Sequence, residues 1–211
     1  MKTPNFSALA KAAGIIAVVG ALFYFGTRNQ KSSLPPPPSA NSHSHDMAAD
    51  TPPTSLGNMI NSTPPAFSLS DSNGNIYSYE NLRGKNVIMF FNEGLMCYPA
   101  CWNQIIALAK DARLNDGDTV VLSVVTDSSE EWRKAVNKMP ELAKAKVVFD
   151  DGAVVSNKFG MLTVPSSMHY GSLPGHTYVL MDKSGIIRHV YDDPAMAIHN
   201  DQLAAEIQAL K

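Results

Sequence analysis

The sequence predicts a mixed α/β sheet covered by helices on both faces, preceded by a transmembrane helix and a disordered tether. Three observations carry that prediction. From Ala66 to Lys211, short runs rich in β-branched and aromatic residues alternate with stretches of helical period, as in a sheet covered on both sides. A proline-rich polar segment lies ahead of them, and an uncharged apolar run lies ahead of that. The 211 residues are 45% hydrophobic and 17% charged, which rules out a collagen-like or wholly disordered chain. With 17 basic against 19 acidic residues, there is no general electrostatic case for a nucleic-acid partner.

Residues 12–26 (AAGIIAVVGALFYFG) carry no charge. With Phe6 to Ala10 they are long enough, at about 1.5 Å rise per residue, to cross a hydrocarbon core. The run ends without a small-x-small cleavage site, so residues 1–31 are expected to stay as an N-terminal membrane anchor and not to leave as a signal peptide. A short anchor followed by a tether places the next domain outside the cytoplasm by default, so the expected localisation is single-pass membrane with an extracytoplasmic domain. Residues 32–64 cannot bury enough apolar surface to offset ordering entropy and read as a mobile tether. Within it His43, His45 and Met59, with Asp46 and Met47, offer ligands to copper, although an ordinary polar linker is the simpler reading.

Residues 65–211 have the length of one domain. Strands are expected over 66–69, 76–79, 87–91, 120–125, 147–149, 178–181 and 186–191, each bounded by Asp, Asn or Gly. A helix over 102–112 buries Ile105, Ile106, Leu108 and Ala109. Ser128 and Glu131 form a capping box ahead of Trp132 and Val136. A short helix covers 154–159, and a C-terminal helix capped by Asn200 sets Leu203, Ile207 and Leu210 on one face. Asp182-Lys183-Ser184-Gly185 is a hairpin turn at the end of the sheet.

The two cysteines, Cys97 and Cys101, follow a buried strand and a short loop and open a helix. Cysteines four apart in a regular helix hold their Cβ atoms about 5–6 Å apart, wider than the roughly 3.5–4.5 Å a disulfide needs. Pro99 suits the first helical position and pushes Tyr98 toward an extended backbone, so the chain breaks there and Cys97 folds back over Cys101. The unpaired N–H groups of the helix start then favour the thiolate of Cys97, the expected nucleophile or metal ligand. So short a loop removes little unfolded-chain entropy, and stability is a poor reason for a disulfide there. Redox or metal chemistry is the better one.

The opening Pro65-Ala66-Phe67-Ser68-Leu69, then Asp71, Gly74, Tyr77, Leu82-Arg83-Gly84-Lys85-Asn86-Val87 and a strand leading to cysteine, resembles the redoxin branch of the thioredoxin fold. That branch includes the AhpC/TSA peroxiredoxins, the TlpA-like oxidoreductases and the Sco copper proteins. The resemblance implies a thioredoxin-like redoxin domain and a catalytic pair, Cys97 and Cys101. Phe90 and Gly94 stand where the peroxiredoxin pattern P-x-x-x-T-x-x-C has its proline and threonine, and His176 lies near the position of the supporting arginine. TlpA-like proteins have two residues between the cysteines; this chain has three, as Sco proteins do. In the Sco comparison Cys97, Cys101 and His176 form a copper site.

The stretch 160–175 is long, rich in turns and without period, as functional loops often are. In the redoxin fold it approaches the cysteine helix and brings His176, with His169 or Met168, toward Cys97. There His176 is a metal ligand, a base or a thiolate stabiliser. Glu93 reads equally as a group that accepts or relays a proton near the cysteines and as a solvated loop carboxylate, and Met96 is the methionine best placed to tune the site. His169, His189 and His199 are read chiefly as ordinary structural residues.

Three functions follow. In the first, a membrane-anchored thiol-disulfide oxidoreductase uses Cys97 and Cys101 with no cofactor, on protein thiols and disulfides or a membrane-bound reductant. In the second, a copper chaperone holds copper at Cys97, Cys101 and His176 for a membrane acceptor. In the third, the pair is an atypical thiol peroxidase.

Overall fold

The structure, a computed structural model, describes residues 56–210. The anchor expected over residues 1–31 and most of the tether, including His43 and His45, lie outside the described residues.

Seven strands form one sheet in the order β2-β1-β5-β4-β3-β6-β7. They are β1 (Ser68–Asp71), β2 (Ile76–Ser78), β3 (Asn86–Phe91), β4 (Thr119–Val125), β5 (Val147–Phe149), β6 (Thr177–Met181) and β7 (Ile187–Asp192). Strands β3, β4 and β5 run parallel; β6 pairs antiparallel with β3, and β1 with β5. Each expected strand is present within two residues of its expected bounds. The hairpin joining β6 to β7 turns at Gly185, whose φ is +79°. The Asp182 carboxylate accepts the N–H groups of Ser184 and Ile186 in that turn.

Helices α1 (Ala100–Lys110), α2 (Ser129–Lys138), α3 (Val154–Lys158) and α4 (Asn200–Ala209) cover the two faces. Both halves of the Ser128–Glu131 capping box are made. The C-terminal helix differs from expectation at its start, because His199 occupies the cap position. The Asn200 side chain instead reaches across to α1, donating to the Ala107 carbonyl and the Asp111 carboxylate.

Strand β3 is buried along its full length, and its alternate residues feed two cores. Ile88 and Phe90 join Cys97, Cys101, Trp102, Ile105, Tyr178 and Leu203 on one face. Val87, Met89 and Phe91 join Leu69, Phe159, Met161 and Val179 on the other. The end of the expected tether is not free: Met59 is buried in the second core, and Asn61 and Ser62 exchange backbone hydrogen bonds with Ile187.

Among the described residues no helix is long and apolar enough to cross a membrane. The longest, α1, has 11 residues, or about 16 Å at 1.5 Å per residue, against roughly 30 Å of hydrocarbon.

Candidate active site

The carboxyl end of β3 leads through Asn92 and Glu93 into a 3-10 turn, Gly94–Cys97, and then into α1. Tyr98 is extended at φ −84°, ψ 136°, and Pro99 caps α1, so the break falls where the proline was expected to force it. The Tyr98–Pro99 peptide bond is cis. Cys97 ends the 3-10 turn, Cys101 lies in the first turn of the helix, and the two form a disulfide with Cα atoms 5.4 Å apart. Trp102 braces this junction by donating its Nε1–H to the Gly94 carbonyl at 3.0 Å. The Tyr98 ring packs edge-on against Trp102, with the Lys138 ammonium 3.6 Å from the Tyr98 ring centre. Gly94 has φ +54°, and a Cβ there would lie 1.8 Å from Asp127 Oδ2, so the turn needs glycine.

His176 precedes β6 and is 1% exposed. Its Nδ1 lies 3.5 Å from Cys101 Sγ, and its Nε2 is 2.9 Å from the Tyr178 hydroxyl. Phe90 lies edge-on to the imidazole and stacks on Tyr178. Burial depresses the imidazole pKa to about 4 against the opposing pull of Asp193, so the ring is neutral near pH 7. Burial also pushes the Tyr178 phenol well above its ordinary value. A protonated phenol donating to Nε2 leaves the imidazole proton on Nδ1, facing Cys101, an assignment that follows from the hydrogen-bond network.

The other expected contributors separate. Glu93 is buried, and its carboxylate accepts the N–H groups of Met168 at 2.6 Å and His169 at 3.0 Å. The His169 ring sits 2.9 Å from its second oxygen. Glu93 and His169 thus join two loops and make no contact with the sulfurs among these hydrogen bonds. Met96 is 60% exposed, because the 3-10 turn aims it outward. Met168 is likewise exposed. The thioether beside the pair is Met196, with Sδ 3.8 Å from Cys97 Sγ. His199 bonds the Asp193 carboxylate at 2.8 Å, and His189 faces Glu206. Sequence reasoning passed over Met196 and Asp193; the only local signal was the turn-forming Asp192-Asp193-Pro194 run just before the methionine.

Ligand atoms of Cys97, Cys101 and His176 lie within 4.8 Å of one another. Two sulfurs and an imidazole suit copper, but here the sulfurs are bonded to each other, and a metal could use both as thiolates only after two-electron reduction.

A cysteine pair at a strand-to-helix junction, on a mixed sheet of this order with a histidine at the pair, defines a redoxin-type thiol oxidoreductase. The chain belongs to the AhpC/TSA family, whose model matches residues 60–190. It is 31% identical over 157 residues to the chloroplastic peroxiredoxin Q of Sedum lineare, covering 71% of this chain and 78% of that one. It is 29% identical over 145 residues to the peroxiredoxin Bcp of Escherichia coli (strain K12), covering 65% and 87%. The crystal structure of Enterococcus faecalis AhpC superimposes with a TM-score of 0.61 at 19% identity, over 72% of this chain and 91% of that one. The thioredoxin-like fold expected from the sequence is therefore present.

These relatives also correct one expectation. A single-pass membrane protein with its redoxin domain on the extracytoplasmic side does not agree with a relative named as chloroplastic. Among the described residues, the helices are also too short or too polar to span a bilayer. The apolar run that suggested an anchor lies outside them.

Proposed function

We propose that the Cys97–Cys101 disulfide is the redox couple of a thiol-disulfide oxidoreductase. The observation that carries this reading is the buried neutral imidazole of His176, with Nδ1 3.5 Å from Cys101 Sγ. An incoming thiolate attacks Cys97 Sγ, the Cys97–Cys101 bond breaks, and Cys101 leaves as a thiolate that accepts a hydrogen bond from Nδ1–H. A second thiol of the reductant then attacks the mixed disulfide and releases Cys97. Run in reverse, Cys97 at the start of α1 attacks a partner disulfide and Cys101 resolves it. The reactants are thiols and disulfides, and the protein supplies both sulfurs.

Family membership favours a second reading, in which the same pair reduces peroxides. The Cys97 thiolate attacks one peroxide oxygen, the O–O bond breaks to release water or an alcohol, and the resulting sulfenic acid condenses with Cys101 to give the disulfide and water. Phe90 and Gly94 offer no hydroxyl to the peroxide, so thiol exchange is placed first. Copper held by reduced Cys97 and Cys101 with His176 is the competing assignment of the site.

The test is reductive titration of the protein in glutathione buffers, with Cys97→Ser and Cys101→Ser as controls, followed by peroxide turnover with a thiol donor. A reversible two-electron couple lost in both variants supports the exchange reading. Peroxide turnover above that of free cysteine adds the second. Absence of any couple, with stoichiometric copper in the anaerobically reduced protein that is lost in Cys97→Ser and His176→Ala, overturns both in favour of metal binding.

A further inference from the structure

Both sulfurs are nearly sealed: Cys97 is 3% exposed and Cys101 1%. Their walls differ in kind. Cys101 is closed by His176, itself packed on Phe90 and Tyr178 deep in the core, and no route to solvent runs through buried aromatic rings. Cys97 meets the Met196 thioether. Met196 sits on the turn between β7 and α4, where Pro194, Ala195, Ala197 and Ile198 are all exposed.

Asp193 holds that turn. Its buried carboxylate accepts the N–H groups of Ala195 at 2.9 Å and Ala197 at 2.6 Å, and the His199 ring at 2.8 Å. Its own N–H donates to the His176 carbonyl at 2.9 Å. Met196 has φ +51°, a conformation an L residue adopts at a cost, and its N–H donates to the Asp193 carbonyl at 3.1 Å. The turn therefore sets the methionine over the sulfur.

We propose that Met196 is the gate to Cys97, a positioning residue that decides which thiols reach the disulfide. This rests on the exchange reading above. An incoming thiolate must first displace the Met196 side chain. It then attacks Cys97 Sγ, a new S–S bond forms, the Cys97–Cys101 bond breaks, and the electron pair leaves on Cys101. The favoured substrates are small thiols and cysteines carried on slender protruding loops; a cysteine flush with a broad protein surface is rejected. Since the same side chain stands in the way of reduction and of reoxidation, it slows both and leaves their equilibrium where it is.

The test compares the whole protein with Met196→Ala, Met196→Gly and Met196→Leu. Reduction by dithiothreitol and by glutathione, and reoxidation by oxidised glutathione, are followed by quenched alkylation. Met196→Gly guards against a folding defect, because glycine accepts the +51° backbone. In the Ala and Gly variants the forward and reverse rates rise about tenfold, most for the bulkier glutathione, while the equilibrium constant stays within about twofold. Met196→Leu restores the bulk without the sulfur and behaves as wild type. Unchanged rates in Ala and Gly overturn the gate. So does an equilibrium constant that moves as far as the rates, which would mark Met196 as a stabiliser of one redox state. A Leu variant as fast as Ala overturns it as well. Failure of the exchange reading looks different, since the wild-type disulfide would then exchange with no thiol. Iodoacetamide labelling of chemically reduced Cys97, about tenfold faster in Met196→Ala, still reads the gate in that case.

Discussion

Replacing His176 by glutamine removes a titration that ties the stability of the oxidised protein to pH. In the unfolded chain the imidazole takes up its proton near the ordinary 6.5, whereas burial delays that to about 4 in the folded protein. Between those values the unfolded state binds the extra proton and the folded state does not, so stability falls as pH drops through the window and holds steady above it. The interval, at roughly 1.4 kcal/mol per pH decade, converts to about 3 kcal/mol. Buried carboxylates such as Asp193 add their own acid sensitivity, but they do so in both proteins. Urea unfolding of the oxidised wild type and of His176→Gln at pH 7 and pH 4 isolates the histidine as the difference of differences. The wild type should lose about 3 kcal/mol more than the variant on acidification. Equal losses, or an imidazole NMR titration with its midpoint near 6.5, would refute the argument that burial governs this ring.

Glu93→Ala should release the loop that its carboxylate ties at Met168 and His169, costing about 3 kcal/mol and speeding hydrogen exchange at those two amides; unchanged exchange would show the tie to be idle. Gly94→Ala should force Asp127 away from the Leu95 N–H, because the new Cβ would lie 1.8 Å from its carboxylate, and should lower stability by about 2 kcal/mol in denaturant titration. A Gly94→Ala protein as stable as wild type would mean that the turn rearranges freely.

The sheet was legible because each strand announces itself locally. Val87 to Phe91 and Val120 to Val125 are β-branched and aromatic runs closed by polar residues, and pattern alone places them. Ser128 and Glu131 were legible for the same reason, since a capping box spans only four residues. Asn200 was not: read locally it is a cap, but α1 offers the Ala107 carbonyl, and that tertiary contact wins. The cysteine pair and its proline break could be read from spacing and φ restriction, and the placement of His176 came with the family resemblance. Met196 lies 99 residues from Cys97 in an aperiodic turn, so no pattern in the chain connects them. Met96, adjacent in sequence, drew attention that its outward rotation does not justify. Glu93 looked like a proton carrier because a carboxylate beside two cysteines invites that role; its lone pairs are taken by backbone amides 75 and 76 residues away.

The alternation along β3 divides the protein's tolerance to change into two separate accounts. Residues of one parity, Ile88 and Phe90, press on the cysteine pair and on the imidazole beside it, so a change of volume there is felt by the chemistry. Residues of the other parity, Val87, Met89 and Phe91, meet only the opposite core, where repacking alters stability and leaves the sulfurs untouched. The sheet itself is the partition between them. Descendants of this sequence are free to drift on one side of a strand while holding still on the other, and the step between those regimes is a single residue.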